Sequence, residues 1–278
     1  MNKILVLGAS GTVGRLLVRA LVAQGQAVKA ASRTGRAVAG AEAVRFDYAD
    51  RATHAPAFEG VDRLYLLMPA DSLAVEAFLL PAVALAAERG VKVVMQSMMG
   101  VEHDPAGAYR QVEMALESAL ARWVILRPNW FADNFHGIWA PDVARGDIAL
   151  PAGEGATSFI DARDIAACAA AALCTGRFDN QAYTLTGPQA LGYAQAAAVL
   201  SQVAGRRIGY TPVSDDAFVA ALRSAGLPEA SGRMLAGLFG DVRNGHTAMV
   251  SDGVEVLTGR PSRGLAQYAA DYRDALRG

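Results

Sequence analysis

Between Gly8 and Gly14 the chain reads Gly8-Ala9-Ser10-Gly11-Thr12-Val13-Gly14, with glycines at every third position. Such spacing suits anion binding by the backbone. Glycine permits a tight turn and a close approach of the main chain to a phosphate. A helix that starts within the loop adds unpaired N–H groups and the positive end of its dipole. The apolar run Ile4–Leu7 precedes the loop, and a segment with helical spacing of Leu16, Leu17, Ala20 and Leu21 follows it. Strand, glycine loop and helix in that order form the signature of a dinucleotide site. Gly8, Ser10, Gly11, Thr12 and Val13 are the residues expected to hold the pyrophosphate.

The end of the second strand carries sharper information. An NAD site places Asp or Glu about 20 residues past the glycines, to accept from the ribose 2′-hydroxyl. This chain has Ala30-Ala31-Ser32-Arg33-Thr34-Gly35-Arg36 there. With no carboxylate, and with Ser32, Arg33 and Arg36 available, charge-assisted bonds to the 2′-phosphate of NADPH are favoured. Asp47, in Phe46-Asp47-Tyr48 after a third strand, has two readings: a partner for the adenine amino group, or the side chain of an ordinary Asx turn.

The elements that position these residues alternate through the first half. Strand patterns fall at Ile4–Leu7, Gln26–Ala31, Ala43–Phe46, Arg63–Met68, Val91–Gln96 and Trp123–Leu126. Helical patterns occupy Val13–Ala23, Leu73–Arg89 (closed by Gly90) and Tyr109–Ala121. Apolar strands alternating with helices predict an α/β fold, a Rossmann-type doubly wound parallel sheet covered on both faces. After about residue 150 the pattern changes. Thr157–Ile160 and Tyr183–Thr186 read as strands, a helix starts at Asp161–Asp164, and the rest is mostly helical. We therefore expect a dinucleotide-binding domain over 1–150. A smaller, mostly helical substrate region follows over 151–278, packed on the first domain, with parts that can join its sheet.

Composition narrows the classes. A 278-residue chain that is 53% hydrophobic can bury a large core, and its net charge of −1 gives no attraction for nucleic acid or membrane surfaces. The longest apolar stretch, Ile165–Cys174, is far short of the roughly 18 residues that a membrane span needs. Cys168 and Cys174 fall on different faces of one helix, so a reduced, cytoplasmic protein is expected. The four histidines, His54, His103, His136 and His246, have no metal-ligand spacing, so no metal is expected.

Further segments add a resemblance. They are Ser97-Met98-Met99-Gly100, the block Leu126-Arg127-Pro128-Asn129-Trp130-Phe131-Ala132-Asp133-Asn134-Phe135, Phe159–Ala166 and Tyr183–Pro188. With the glycine loop and Ser32-Arg33, they resemble the NmrA-like group of atypical short-chain dehydrogenases/reductases over essentially the whole chain, and within it the quinone-reductase and triphenylmethane-reductase type. The resemblance implies that Met68, Pro69 and Ser97 approach the nicotinamide ribose, and that Pro128 to Phe131 border nicotinamide and substrate. Met98 and Tyr109 would face the substrate. An amide beside two aromatic rings also suits a flat apolar substrate with one polar handle, which makes Asn129 a catalytic candidate and Trp130 and Phe131 a substrate wall. The same two rings could instead seal the domain interface.

One expected part is missing. Ordinary short-chain dehydrogenases use Ser with Tyr-x-x-x-Lys, the Lys lowering the tyrosine pKa for proton exchange. Here Ser97 and Tyr109 are present, but Glu113 follows Tyr109 by four residues. A carboxylate one turn away is expected to disfavour phenolate. In the quinone-reductase type, Tyr109 takes the place of a frequent His in a His-x-x-x-Glu pattern. A site without the Tyr–Lys pair suits acceptors that need little proton donation, so the leading expectation is an NADPH-dependent reductase. Its hydride would go to a small apolar conjugated acceptor: a quinone, enone, iminium or dye-like cation. A non-catalytic NADP-binding sensor and a cofactor-binding isomerase or cyclase are the alternatives, and a homodimer is compatible with each.

Overall fold

The structure, a computed structural model, describes residues 2–38, 40–69 and 73–277. Within them the chain forms two compact units. The first comprises residues up to Pro128, then Ala162–Leu185 and Gly253–Arg260; the second comprises Asn129–Asp161, Thr186–Asp252 and the chain from Pro261 onward.

Among the described residues, seven strands form the sheet of the first unit. They are β1 (Lys3–Val6), β2 (Val28–Ser32), β3 (Glu42–Arg45), β4 (Val61–Leu67), β5 (Lys92–Gln96), β6 (Trp123–Pro128) and a last strand, Gln181–Leu185. Their order is β3-β2-β1-β4-β5-β6 and then Gln181–Leu185, every pair parallel. The central strands read as continuous apolar runs because both faces are covered. Ile4-Leu5-Val6, Leu64-Tyr65-Leu66, Val93-Val94-Met95 and Val124-Ile125-Leu126 are all fully buried. Strand order reverses between β1 and β4, and the crevice beyond the carboxyl ends at such a reversal is where this architecture binds ligands.

Each covering helix turns one stripe inward. Thr12–Ala23 buries Val13, Leu17, Val18 and Leu21. Ala108–Ala119 buries Val112, Glu113 and Leu116, so a carboxylate lies on its core face. The alanine-rich helix Ala162–Cys174 lies against Thr12–Ala23, with Cys168 buried and Cys174 exposed, both free. Lys92, itself buried, donates to the carbonyls of Ala172 (2.6 Å) and Thr175 (2.7 Å) at the end of that helix.

The division expected at residue 150 differs from the one the contacts draw. The chain is back in the first unit from Ala162, and Gln181–Leu185 joins the sheet at β6. The short helix Gly253–Thr258 returns as well, and a β-carbon on Gly253 would lie 2.2 Å from the Thr184 carbonyl oxygen. Only glycine allows that approach.

The second unit is mostly helical around an aromatic core of Phe135, Trp139, Phe159, Tyr193, Phe218, Phe239 and Tyr268. The strand expected at Thr157–Ile160 is a correction: the strand found is Ala156–Thr157, antiparallel to Leu191–Gly192, and Ile160 makes an isolated bridge to Phe131. Beyond it the backbone and side chains take other partners. Ser158 N–H donates to the Thr247 carbonyl (3.1 Å) and Ser158 Oγ to that of Met249 (2.7 Å). Asp147–Leu150 and Gly209–Pro212 form a parallel pair that the sequence reading did not mark. No helix among the described residues is long and apolar enough to cross a membrane.

Candidate cofactor site and the residues around it

Three glycines shape the turn after β1. Gly8 has φ +62°, a left-handed conformation that a side chain disfavours. Gly11 N–H donates to the Gly8 carbonyl at 2.9 Å, closing the turn. A β-carbon at Gly14 would lie only 2.1 Å from that same oxygen, so the third glycine lets the helix pack directly on the loop. Gly8, Ser10, Gly11 and Thr12 are exposed, whereas Val13 is buried and offers only its backbone. Gly11 stands at the N-cap with no side chain to satisfy the helix start, and Thr12, Val13 and Gly14 bring no carboxylate into the first turn. The amides and the positive helix end are thus left for an external anion, which fits a pyrophosphate.

Ser32 closes β2 with a compact turn. Its carbonyl accepts from Gly35 N–H (3.2 Å) and Phe46 N–H (3.0 Å), and its Oγ accepts from Arg36 N–H (2.9 Å). The turn presents Arg33 and Arg36 on the surface, and residues 30–36 carry no Asp or Glu of their own, a composition that suits a second phosphate. Asp47 takes the turn arrangement. Its Oδ1 accepts from Ala49 N–H at 3.0 Å, and its carbonyl accepts from His54 Nε2 at 2.9 Å. The His54 ring stacks on Phe46 with centroids 4.4 Å apart.

Three strand ends meet the expected nicotinamide side. Tyr48 hydroxyl donates to the Leu67 carbonyl at 2.5 Å, pinning β4 where Met68 and Pro69 follow, both half-buried. Ser97 N–H donates to the Leu126 carbonyl (2.8 Å), and Met99 N–H to that of Pro128 (3.1 Å), so the chain after β5 is zipped to β6. Ser97 is buried while Met98 is half-buried.

Tyr109 and Glu113 are not coupled as expected. Burial raises the Tyr109 pKa above its ordinary value, and the half-buried ring packs against the apolar core of the first unit. Glu113 is fully buried and paired elsewhere. Its Oε1 accepts from Arg127 Nε (3.0 Å), and its Oε2 accepts from Arg127 Nη2 (2.7 Å) and Arg110 Nη1 (2.9 Å). Burial alone would raise its pKa; the Arg127 fork, the Ser97 hydroxyl and Arg110 together outweigh that and hold the carboxyl below its ordinary value. The sequence reading expected the Glu113 charge to hold the Tyr109 proton. Two guanidiniums neutralise that charge, so burial alone protects the phenol.

Asn129 is likewise committed. Its Nδ2 donates to Ser158 Oγ and to the Thr247 carbonyl, both at 2.8 Å, and its Oδ1 accepts from Trp130 N–H at 2.8 Å. Both donors and one of the two lone pairs of Oδ1 are used and the side chain is 4% exposed, so the amide braces the chain that follows β6. Trp130, half-buried, packs on Phe239 (4.8 Å between centroids) and Trp139 (5.8 Å) against the aromatic core of the second unit. Phe131 is half-buried and its backbone bridges to Ile160. Arg127, Ser158 and Thr247 were not singled out from sequence. Arg127 alone left a signal, a cation inside an otherwise apolar strand that must find a buried partner.

Comparison with known proteins agrees with this geometry. The NmrA-like family matches residues 1–256. The chain is 34% identical over 286 residues to the NAD(P)H azoreductase of Xenophilus azovorans, covering 98% of this chain and 99% of that one. It is 32% identical over 273 residues to the oxidoreductase YesF of Bacillus subtilis, covering 98% and 95%. Its fold matches that of an Escherichia coli NADPH-dependent quinone oxidoreductase complexed with NADPH, at a TM-score of 0.84 and 24% identity over 97% and 99% of the chains. The chain belongs to the NmrA-like family, in which it is an oxidoreductase of the NAD(P)-binding type.

Proposed function

We propose that this protein uses NADPH to reduce a small, apolar, conjugated acceptor of the quinone, azo or dye-cation class. The observation that carries the reading is the pair of sites at the ends of β1 and β2. An uncapped helix N-terminus would receive a pyrophosphate, and a turn that bears Arg33 and Arg36, with no Asp or Glu within residues 30–36, would favour a 2′-phosphate. When bound, the cofactor supplies the hydride. The glycine loop holds it and the Ser32 turn selects it, while the ends of β4 and β5 set its depth.

The acceptor class follows from what the polar groups can do. Tyr109 keeps its proton at neutral pH because burial opposes the phenolate, and position 113 holds a neutralised carboxylate where an activating lysine would stand. A site of this kind favours electron-poor acceptors that take hydride before they take a proton. Relatives act in this range: one is an azoreductase, and another is quinone oxidoreductase 2 of Escherichia coli, 26% identical over 275 residues.

The test is NADPH oxidation followed by absorbance with a panel of quinones, azo dyes and triphenylmethane cations. Turnover of at least one class, with NADPH preferred to NADH, is the expected result. Tight NADPH binding with no oxidation by any acceptor would overturn the reductase reading in favour of a cofactor-sensing protein.

A further inference from the structure

One piece of the second unit is tied by polar groups only at its root. Helices Asp215–Ser224 and Glu229–Arg243 form a hairpin, joined by residues 225–228. At the root Arg243 forks onto Asp215, Nη1 to Oδ1 at 2.9 Å and Nη2 to Oδ2 at 3.1 Å, and Nη1 also donates to the Pro151 carbonyl. A β-carbon on Gly155 would lie 2.2 Å from the Val242 carbonyl oxygen, so the end of the second helix sits directly on that turn. Further out the ties change. Arg233 pairs with Asp216 and Glu229, and Arg223 with Glu229, all within the hairpin. Among the described residues, none from 216 to 239 makes a hydrogen bond or ion pair to the chain outside 213–243. Apolar packing through Phe218, Val219, Ala236 and Phe239 holds the outer part.

The second helix is weak where it meets the root. Three of its 15 residues are glycine: Gly232, Gly237 and Gly240. Gly232 lies in ordinary contact with Val219, but a β-carbon at Gly237 would meet nothing within 4 Å, and one at Gly240 only Arg243 Nη2 at 3.9 Å. Neither of these two has a positive φ, so neither space nor backbone conformation requires glycine there. Each makes a helix interior less stable than alanine would. Between them stands Phe239, whose ring covers Trp130 at 4.8 Å between centroids and lies edge-on to Tyr193 at 6.1 Å. The Tyr193 hydroxyl, in a side chain 1% exposed, has no hydrogen-bond partner among the described residues. A buried unpaired hydroxyl destabilises the closed arrangement, and contact with water on opening removes that penalty.

We infer that this hairpin is a flap, hinged at residues 213–214 and 237–240, that lifts Phe239 off Trp130 and admits a planar aromatic acceptor to the uncovered ring face. The two rings are in contact when the flap is closed, so a planar ligand reaches that face of Trp130 only through the motion. The inference rests on the acceptor reading above, to which it adds planarity and a gating step.

The experiment compares the unmodified chain with three variants: Gly237→Ala with Gly240→Ala, Tyr193→Phe, and Asp215→Asn. It reads the protection of amides 238–243 against hydrogen exchange, NADPH affinity, and kcat/KM for menadione, a planar two-ring quinone, or for the best planar acceptor of the panel above. Protection reports the open fraction of the hinge. An acceptor that binds only the open form has a kcat/KM proportional to that fraction. The alanine pair is expected to raise protection about tenfold and to lower kcat/KM by the same factor. Tyr193→Phe should move both in the same direction by at least about fivefold, since the closed form no longer buries an unpaired hydroxyl. Asp215→Asn should move both in the opposite direction by about two- to fivefold, as the root fork is lost. NADPH affinity should change less than about twofold throughout, because the glycine loop and the Ser32 turn are untouched.

A rise in protection with an unchanged kcat/KM would show a soft hairpin that gates nothing, and would overturn the inference alone. A lower melting temperature for the alanine pair, or its failure to fold, would show that the two glycines serve packing and would overturn it as well. Opposite responses of protection in Tyr193→Phe and the alanine pair would do the same, since both variants favour the closed form. If no acceptor oxidises NADPH with the unmodified chain, the reductase reading falls and the gate falls with it, whatever the exchange shows.

Discussion

Arg33 and Arg36 occupy the strand end where a carboxylate would repel a second phosphate, and the Ser32 turn holds both on the surface. NADPH is therefore expected to bind at least about tenfold tighter than NADH, roughly 1.4 kcal/mol, and Arg33→Ala to remove most of that gap. Fluorescence titration with the two cofactors measures it directly. Tyr109 gives a second expectation. Its phenol is buried and unactivated, so Tyr109→Phe should keep the maximal rate of quinone reduction within about tenfold, about 1.4 kcal/mol in barrier. A thousandfold loss would make it a true proton donor. Glu113 gives a third. Its pKa is lowered on folding, so its contribution is present above the ordinary carboxylate range and disappears as pH falls through the folded value. The Glu113 contribution to thermal stability, read from melts at each pH, should stay level from about pH 8 to 5 and drop below that range. The Glu113→Gln, Arg127→Gln double variant should show a shallower acid slope in the same melts.

At the scale of elements, the glycine loop and the helix after it form one packed object. The Gly14 Cα–H faces the Gly8 carbonyl oxygen, and a methyl group there has no space. Gly14→Ala is expected to cost about 2 kcal/mol of stability and to weaken NADPH more than tenfold, because the helix start must move away from the turn. Calorimetry and the same titration test both parts. An unchanged melting temperature would show that the loop tolerates a wider spacing. The first-unit sheet shows how far periodicity carries. All six strands expected in the N-terminal half are present with shifts of one or two residues, since continuous apolar runs between turn residues admit one reading once both faces are buried. The stretch Thr157–Ile160 has the same apolar character, and Phe159 and Ile160 are indeed buried. Its backbone takes partners from Trp130 and Thr247 in place of a strand ladder, and no local pattern encodes that choice.

At the scale of the whole molecule, the second unit is built around aromatic rings, and Trp130 is one of them. Because its ring packs on Trp139 and Phe239, Trp130→Ala should lower the stability of that unit by about 3 kcal/mol. A melting curve read by tryptophan fluorescence tests this. A variant that melts normally but turns over acceptors poorly would place Trp130 in the substrate wall.

Sequence alone determined the parallel α/β sheet, the glycine loop, the arginine-bearing turn after β2 and the family, because each rests on residues close together in the chain. Apolar period, turn chemistry and N-terminal helix signals act over a few residues, and they survive any tertiary arrangement that buries the same stripe. The tertiary structure decided the partners. Glu113 takes Arg127, fourteen residues away, and not the neighbouring Tyr109; Asn129 bonds Thr247 across 118 residues and becomes a brace. It also decided that the chain leaves the first unit at Asn129 and returns at Ala162 and again at Gly253. A buried polar group must find a donor or acceptor wherever the fold supplies one, and that supply comes from distant segments whose proximity no local spacing records.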